Sequence, residues 1–134
     1  MPTYDKSTEL LVKVEATAVN RADLMQSEGK YPPPAGASQI LGLECVGYLV
    51  DPATDKVSDR KVMALLTGGG YAEFARVHKD HIMDLPRDYD FLKAAAIPEQ
   101  WIAAYQLLFK VAKIQKDETA LILAAASGVG TCLI

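Results

Sequence analysis

Close to its C-terminus the chain reads Ala-Ala-Ala-Ser-Gly-Val-Gly, from Ala124 to Gly130, directly after an apolar run. Small residues between a strand and a helix let the backbone approach a pyrophosphate, and the helix that follows points its positive end at the phosphate. The match to a G-x-G-x-x-G fingerprint is partial: Ala125 and Ser127 stand at the first two glycine places, Gly130 at the third, with Gly128 beside it. Ser127 adds a hydroxyl able to donate to a phosphate or a ribose. The same composition also suits any tight strand-to-helix turn.

Four other places carry chemical groups. Tyr31 precedes three consecutive prolines, so its hydroxyl is either held out by a rigid loop to meet a carbonyl or a cofactor, or its ring packs on the prolines. Asn20, in Asn20-Arg21-Ala22-Asp23, suits the cap of a short helix, where its side chain would satisfy orphan N–H groups. Glu44 lies inside the apolar run Ile40–Val50, and a carboxylate there needs a partner. Arg21 is a candidate, in a structural ion pair or in catalysis. His78 and His81 have no cysteine nearby and read as surface histidines. No Ser-His-Asp arrangement or nucleophile elbow has local support.

Short strands must position these groups. Leu10–Ala16 alternates around Val12 and Val14, Val62–Leu66 is a second strand, Tyr71–Val77 alternates again, and Ile82–Leu85 precedes Pro86. Ile40–Val50 is strand-like, broken by Gly42 and Gly47, which suggests bulges in a curved sheet. Asn20–Glu28 reads as a short helix, Tyr31–Ser38 as a rigid loop, Asp51–Asp59 as a polar turn. The succession predicts a β-barrel-like body. Beyond Phe91 the pattern changes. Phe91–Ile97 is a short helical stretch, and Pro98 and Glu99 open a longer helix with Trp101, Tyr105, Leu108 and Ala112 on one face. A strand at Thr119–Leu123 then leads into the small-residue turn, the entrance to an α/β unit.

Composition narrows the classes. With 134 residues the chain is one domain, or one domain and a piece of another. Fourteen basic and 17 acidic side chains are well mixed, for a net charge of -3, so no basic patch marks a nucleic-acid partner. No apolar run approaches the ~20 residues of a membrane span, and Met1–Glu9 has no signal-peptide core. A cytoplasmic protein is expected, and Cys45 and Cys132 read as two free, buried thiols.

Several longer motifs converge on one family. Asn20–Gln26 (N-R-A-D-L-M-Q), Gly29–Ser38 (G-K-Y-P-P-P-A-G-A-S) and Ile40–Glu44 (I-L-G-L-E) resemble the zinc-independent quinone oxidoreductases of the medium-chain dehydrogenase/reductase superfamily. Met63–Gly70 (M-A-L-L-T-G-G-G), Ala94–Trp101 (A-A-A-I-P-E-Q-W) and Ser127–Thr131 (S-G-V-G-T) point to its ζ-crystallin-like branch.

The resemblance implies a mixed α and β chain: a GroES-like β-barrel, residues 1–97, followed by the truncated start of a Rossmann dinucleotide-binding domain, residues 98–134. It implies NADPH as cofactor, a small-molecule quinone as substrate, and direct hydride transfer with positioning as the main catalytic device. It makes Tyr31 the residue that contacts the substrate and the nicotinamide end, places Asn20 near the nicotinamide, and turns Ala126, Ser127, Gly128, Val129 and Gly130 toward the cofactor phosphates. The zinc-dependent cousins carry a cysteine where Asn20 stands and a histidine where Leu43 stands, so no metal site is expected. An enone or enoyl reductase of the same superfamily, or a non-catalytic interaction module, is the alternative.

There are departures. Ala103 stands at a threonine place, Leu123 and Ala125 at a histidine and a glycine place, and the relatives begin with about 20 further residues, by analogy. The residues that choose NAD or NADP lie about 20 positions past the glycine turn in such folds, beyond Ile134. The relatives dimerise largely through the cofactor domain, so a homodimer is not expected of this chain. Nor is the chain expected to turn over quinones alone.

Overall fold

A computed structural model describes every residue from Met1 to Ile134. The chain forms two compact units, Met1–Pro98 and Glu99–Ile134.

The first unit is built on five antiparallel strands: β1 (Glu9–Ala16), β2 (Glu44–Asp51), β3 (Lys56–Leu65), β4 (Phe74–His78) and β5 (Ile82–Asp84), in the order β4-β1-β2-β3-β5. Alternation sends Leu10, Val12 and Val14 of β1 to one face, where they join Cys45, Leu49, Val62, Ala64, Ala75 and Val77 in a core. The other face is covered too. Val46 and Met63 pack there with Leu85 and with Phe91, Ala94 and Ala95 from the helix α2 (Phe91–Ala94) and its end. The sheet curls because its ladders slip twice, between Val14 and Ala16 and between Tyr48 and Val50. Gly47 sits between the slips, and a Cβ there would lie 1.9 Å from the Lys13 carbonyl oxygen. Only glycine permits so close an approach.

Three sequence-based boundaries move. β3 begins at Lys56, inside the stretch read as a polar turn, because Lys56 pairs with Asp51 across a tight connection. β4 begins at Phe74, since the N–H groups of Gly69, Gly70 and Tyr71 bond to the carbonyls of Ile40, Gly42 and Leu41 instead of joining a ladder. For the same reason Ile40–Leu43 lies outside β2.

The second unit holds α3 (Pro98–Tyr105) apart from its first residue, the π-helical stretch Gln106–Val111 that continues it, and then α4 (Gly128–Leu133). The apolar face expected of this helix is not buried: Trp101 is 53% and Tyr105 57% exposed, while Pro98 and Ala104 are the buried residues. No strand forms over Thr119–Leu123. Its donors and acceptors have no neighbouring strand, and Leu121 and Leu123 are 88% and 80% exposed. No helix of the structure is long and apolar enough to cross a membrane.

Candidate functional site

The polar groups singled out in the first unit meet at the start of a short helix, α1 (Arg21–Ser27), for which Asn20 is the N-cap. The helix begins there because Asn20 adopts an extended backbone and Asp23 reaches back. The Asp23 carboxylate accepts from the Asn20 N–H at 2.8 Å, one half of a capping box. Its other oxygen accepts from the Gly42 N–H at 3.1 Å.

Glu44, the first residue of β2, is fully buried. Its carboxylate accepts from Asn20 Nδ2 at 2.6 Å. Arg21, the partner considered from sequence, is exposed. The first residue of a helix turns away from the sheet here, whereas the capping residue faces it. The Glu44 carbonyl accepts from Thr17 Oγ1 at 2.7 Å. Three side chains, Thr17, Asn20 and Asp23, thus stitch residues 17–23 to residues 42–44.

Tyr71 completes this cluster and was not flagged by its sequence position. Its hydroxyl lies 3.4 Å from the Ala18 carbonyl oxygen, although the residue as a whole is 38% exposed. Removal from water, and then the neighbouring Asp23 and Glu44 carboxylates, push its phenol up to about 12. It therefore stays protonated, able to donate, throughout the physiological range. Gly42 and Gly70 allow this convergence: a Cβ on Gly42 would fall 2.6 Å from the Tyr71 nitrogen, and one on Gly70 would fall 2.6 Å from the Glu44 carbonyl oxygen. The apolar neighbour Cys45 is sealed, its thiol pushed up to about 12 by burial and then by Glu44. Cys132, in the second unit, is half-buried and also free.

Tyr31 stands apart from this buried cluster. It is 49% exposed, and the loop that follows turns at Pro34–Ala37, with Gly36 at φ +81. The Arg76 guanidinium on β4 donates through Nη2 to the Gly36 carbonyl, a contact that sequence position did not signal. His78 and His81 are exposed, their rings 5.6 Å apart. No group of three or more His, Cys, Asp or Glu side chains could hold a metal ion.

In the second unit the small-residue turn makes its own helix start. Ser127 is the N-cap of α4, and its hydroxyl oxygen accepts from the Gly130 N–H at 3.0 Å. Ala126, Ser127 and Gly128 are exposed, Val129 is half-buried and Gly130 is buried. A Cβ on Gly130 would strike the Ala124 carbonyl oxygen at 2.3 Å, and one on Gly128 the Gln100 side chain at 2.6 Å. Gly130 demands glycine because its neighbours there are backbone, whereas a Cβ at Gly128 would require only that the flexible Gln100 side chain move aside.

Residues 6–87 match the family model of the alcohol dehydrogenase GroES-like domain. This chain belongs to the medium-chain dehydrogenase/reductase superfamily. Among its GroES-like relatives is the synaptic vesicle membrane protein VAT-1 of Tetronarce californica, 35% identical over 97% of the chain and 34% of that protein. Among solved structures, the quinone oxidoreductase of Thermus thermophilus, studied alone and with NADPH, superposes with a TM-score of 0.79 at 31% identity, over 99% of this chain and 42% of that one. The CurK enoyl reductase superposes with a TM-score of 0.80 at 27% identity, over 99% and 44%. The GroES-like chain therefore spans less than half the length of each of these three relatives.

Proposed function

We propose that this chain is the substrate-side part of an NADPH-dependent quinone reductase of the zinc-independent, ζ-crystallin-like kind, resembling the tumour-suppressor-inducible quinone oxidoreductase. The observation that carries this reading is the likeness, along 99% of the chain, to a quinone oxidoreductase solved with NADPH. The division into a GroES-like domain, residues 1–97, and the opening of a dinucleotide-binding domain, residues 98–134, belongs to the same proposal, as does a cytoplasmic site of action.

The residues fit such a cofactor in part. Gly130 leaves no room for a side chain at the turn, and Ser127, having accepted from Gly130, keeps its own O–H to donate. With Ala126, Gly128 and Val129 they form the stretch assigned to the phosphates. NADPH, when bound, supplies the hydride. Tyr31 donates its hydroxyl to a quinone oxygen and stabilises the charge that develops there. Asn20 contributes near the nicotinamide with its carboxamide fixed by Glu44, and water returns the protons. In place of the zinc ligands of the cousins, Asn20 is committed to a carboxylate and Leu43 is apolar and buried.

The likeness to an enoyl reductase favours a second reading. In it the hydride goes to the β-carbon of an enone or enoyl thioester, and a proton is added at the α-carbon. A non-catalytic binding module is the third.

The test is NADPH oxidation followed at 340 nm. The 134-residue chain alone is expected to show none, because residues 99–134 contain no strand to build a dinucleotide site on. Fused in frame to the dinucleotide domain of the Thermus quinone oxidoreductase, it is expected to reduce a quinone faster than an enoyl thioester. The reverse preference selects the second reading. A folded fusion that binds NADPH and reduces neither selects the third.

A further inference from the structure

The loop that carries Tyr31 is not packed onto the sheet. A cavity of about 190 Å³ separates Pro34–Ser38 from Leu65, Thr67 and the outer side chains of β4. The ends of the loop are secured separately, the far one also by the Gly69 N–H, which donates to the Ile40 carbonyl at 2.7 Å. The Lys30 N–H bonds to the Met25 carbonyl at 2.8 Å, and the Ile40 N–H to Ser38 Oγ at 3.1 Å. Inside it, the Ala37 N–H closes the turn on the Pro34 carbonyl at 3.1 Å.

One long side chain crosses the cavity. Arg76 leaves β4 and donates through Nη2 to the Gly36 carbonyl, 40 residues away in sequence. Glu9 holds the guanidinium from behind, with Oε1 4.0 Å from Nε. Glu9 pairs with His78 and Leu11 with Arg76, so Glu9 and Arg76 are diagonal neighbours on one face of the ladder. Between Gly36 and Tyr31 stand Pro32, Pro33 and Pro34, whose φ angles are fixed. With Ala35 the one non-proline residue between them, the segment is a short arm of restricted φ, and holding Gly36 narrows where Tyr31 can stand.

We propose that Arg76 is a positioning residue that sets the place of Tyr31 through the Gly36 carbonyl, with Glu9 orienting the guanidinium. The functional consequence rests on the substrate role given to Tyr31 above; the tether itself does not.

The experiment uses the 134-residue chain and its Arg76→Met variant, which keeps the apolar stem and loses every donor. Amide exchange at Ala37 is expected to rise about tenfold, the worth of one hydrogen bond to a charged donor, and the backbone order of Tyr31 to fall. Exchange at Val12 and Val62 in the core should not move. Arg76→Lys should restore part of the protection, and so should free guanidinium ion added to Arg76→Ala. In the fusion enzyme Arg76→Met should raise KM for the quinone severalfold with kcat retained. Unchanged exchange at Ala37 together with unchanged order at Tyr31 overturns the tether. A loosened loop with an unchanged KM supports the tether and removes Tyr31 from the substrate site.

Discussion

Residues 1–98 and residues 99–134 contain the same kinds of apolar run and treat them differently. In the first unit β1 lies between β4 and β2, and its alternating side chains close a core. In the second, Thr119–Leu123 is no less apolar, yet it pairs with nothing and leaves Leu121 and Leu123 in water. A strand is a property of a pair of segments: its inward side chains and its ladder groups both need a neighbour. Polar groups follow the same division. Asn20, Asp23 and Glu44 are buried and cross-linked over tens of residues, whereas Ser127 is satisfied by Gly130, three residues on.

Close backbone approaches give the sharpest way to break this contrast. Gly47→Ala places a methyl against the Lys13 carbonyl at the centre of the sheet and should cost about 3 kcal/mol in urea unfolding of the first unit. Gly130→Ala makes a comparable local clash and should leave that transition within about 0.5 kcal/mol of the original. Equal losses would show that the two units unfold as one. Next in size is Asn20→Ala, which takes a donor from the buried Glu44 carboxylate and should cost about 2 kcal/mol. Ser127→Ala, removing the cap of α4, should not register in the same transition.

The two thiols sharpen the comparison chemically. Cys45 is sealed in the sheet with its thiol held at about 12, and Cys132 is half-buried in the second unit. A thiol reagent at neutral pH should label Cys132 in the folded protein and Cys45 only on unfolding, as read by mass spectrometry of the peptides. The smallest effect concerns Tyr71. Its phenol is raised from an ordinary value near 10 to about 12, so the folded state holds its proton more tightly. The stability this contributes is complete below about pH 10 and is lost as the pH rises toward 12. Tyr71→Phe should remove that part of the slope in alkaline unfolding curves and cost about 1 kcal/mol at pH 7, the worth of the lost hydrogen bond.

Much of this was legible in the residues. The alternation of Leu10–Ala16, the glycine break at Gly47 and the helix beginning after Asn20 all appear where periodicity and capping chemistry put them. What escaped depended on neighbours distant in sequence. The partner of Glu44 is Asn20 rather than Arg21, because the cap faces the sheet and the next residue does not. The Asn-x-x-Asp spacing of a capping box was the available sign of the bond from the Asn20 N–H to Asp23, but not of the one from Asn20 to Glu44. Tyr71 and Arg76 carry no such local sign, since their importance comes from Asp23 and Gly36, 48 and 40 residues earlier. The spacing of Trp101 and Tyr105 marks one face of α3, and both are exposed, because periodicity reports a face and not what covers it.

The measurement that tests the functional reading most directly is steady-state quinone reduction by the fusion enzyme with Tyr31→Phe. Loss of the one hydroxyl proposed to meet the quinone oxygen should lower kcat/KM about 10- to 100-fold, with the Kd for NADPH unchanged within about twofold. An unchanged kcat/KM would contradict the account and take Tyr31, and the loop that Arg76 holds, out of the chemistry.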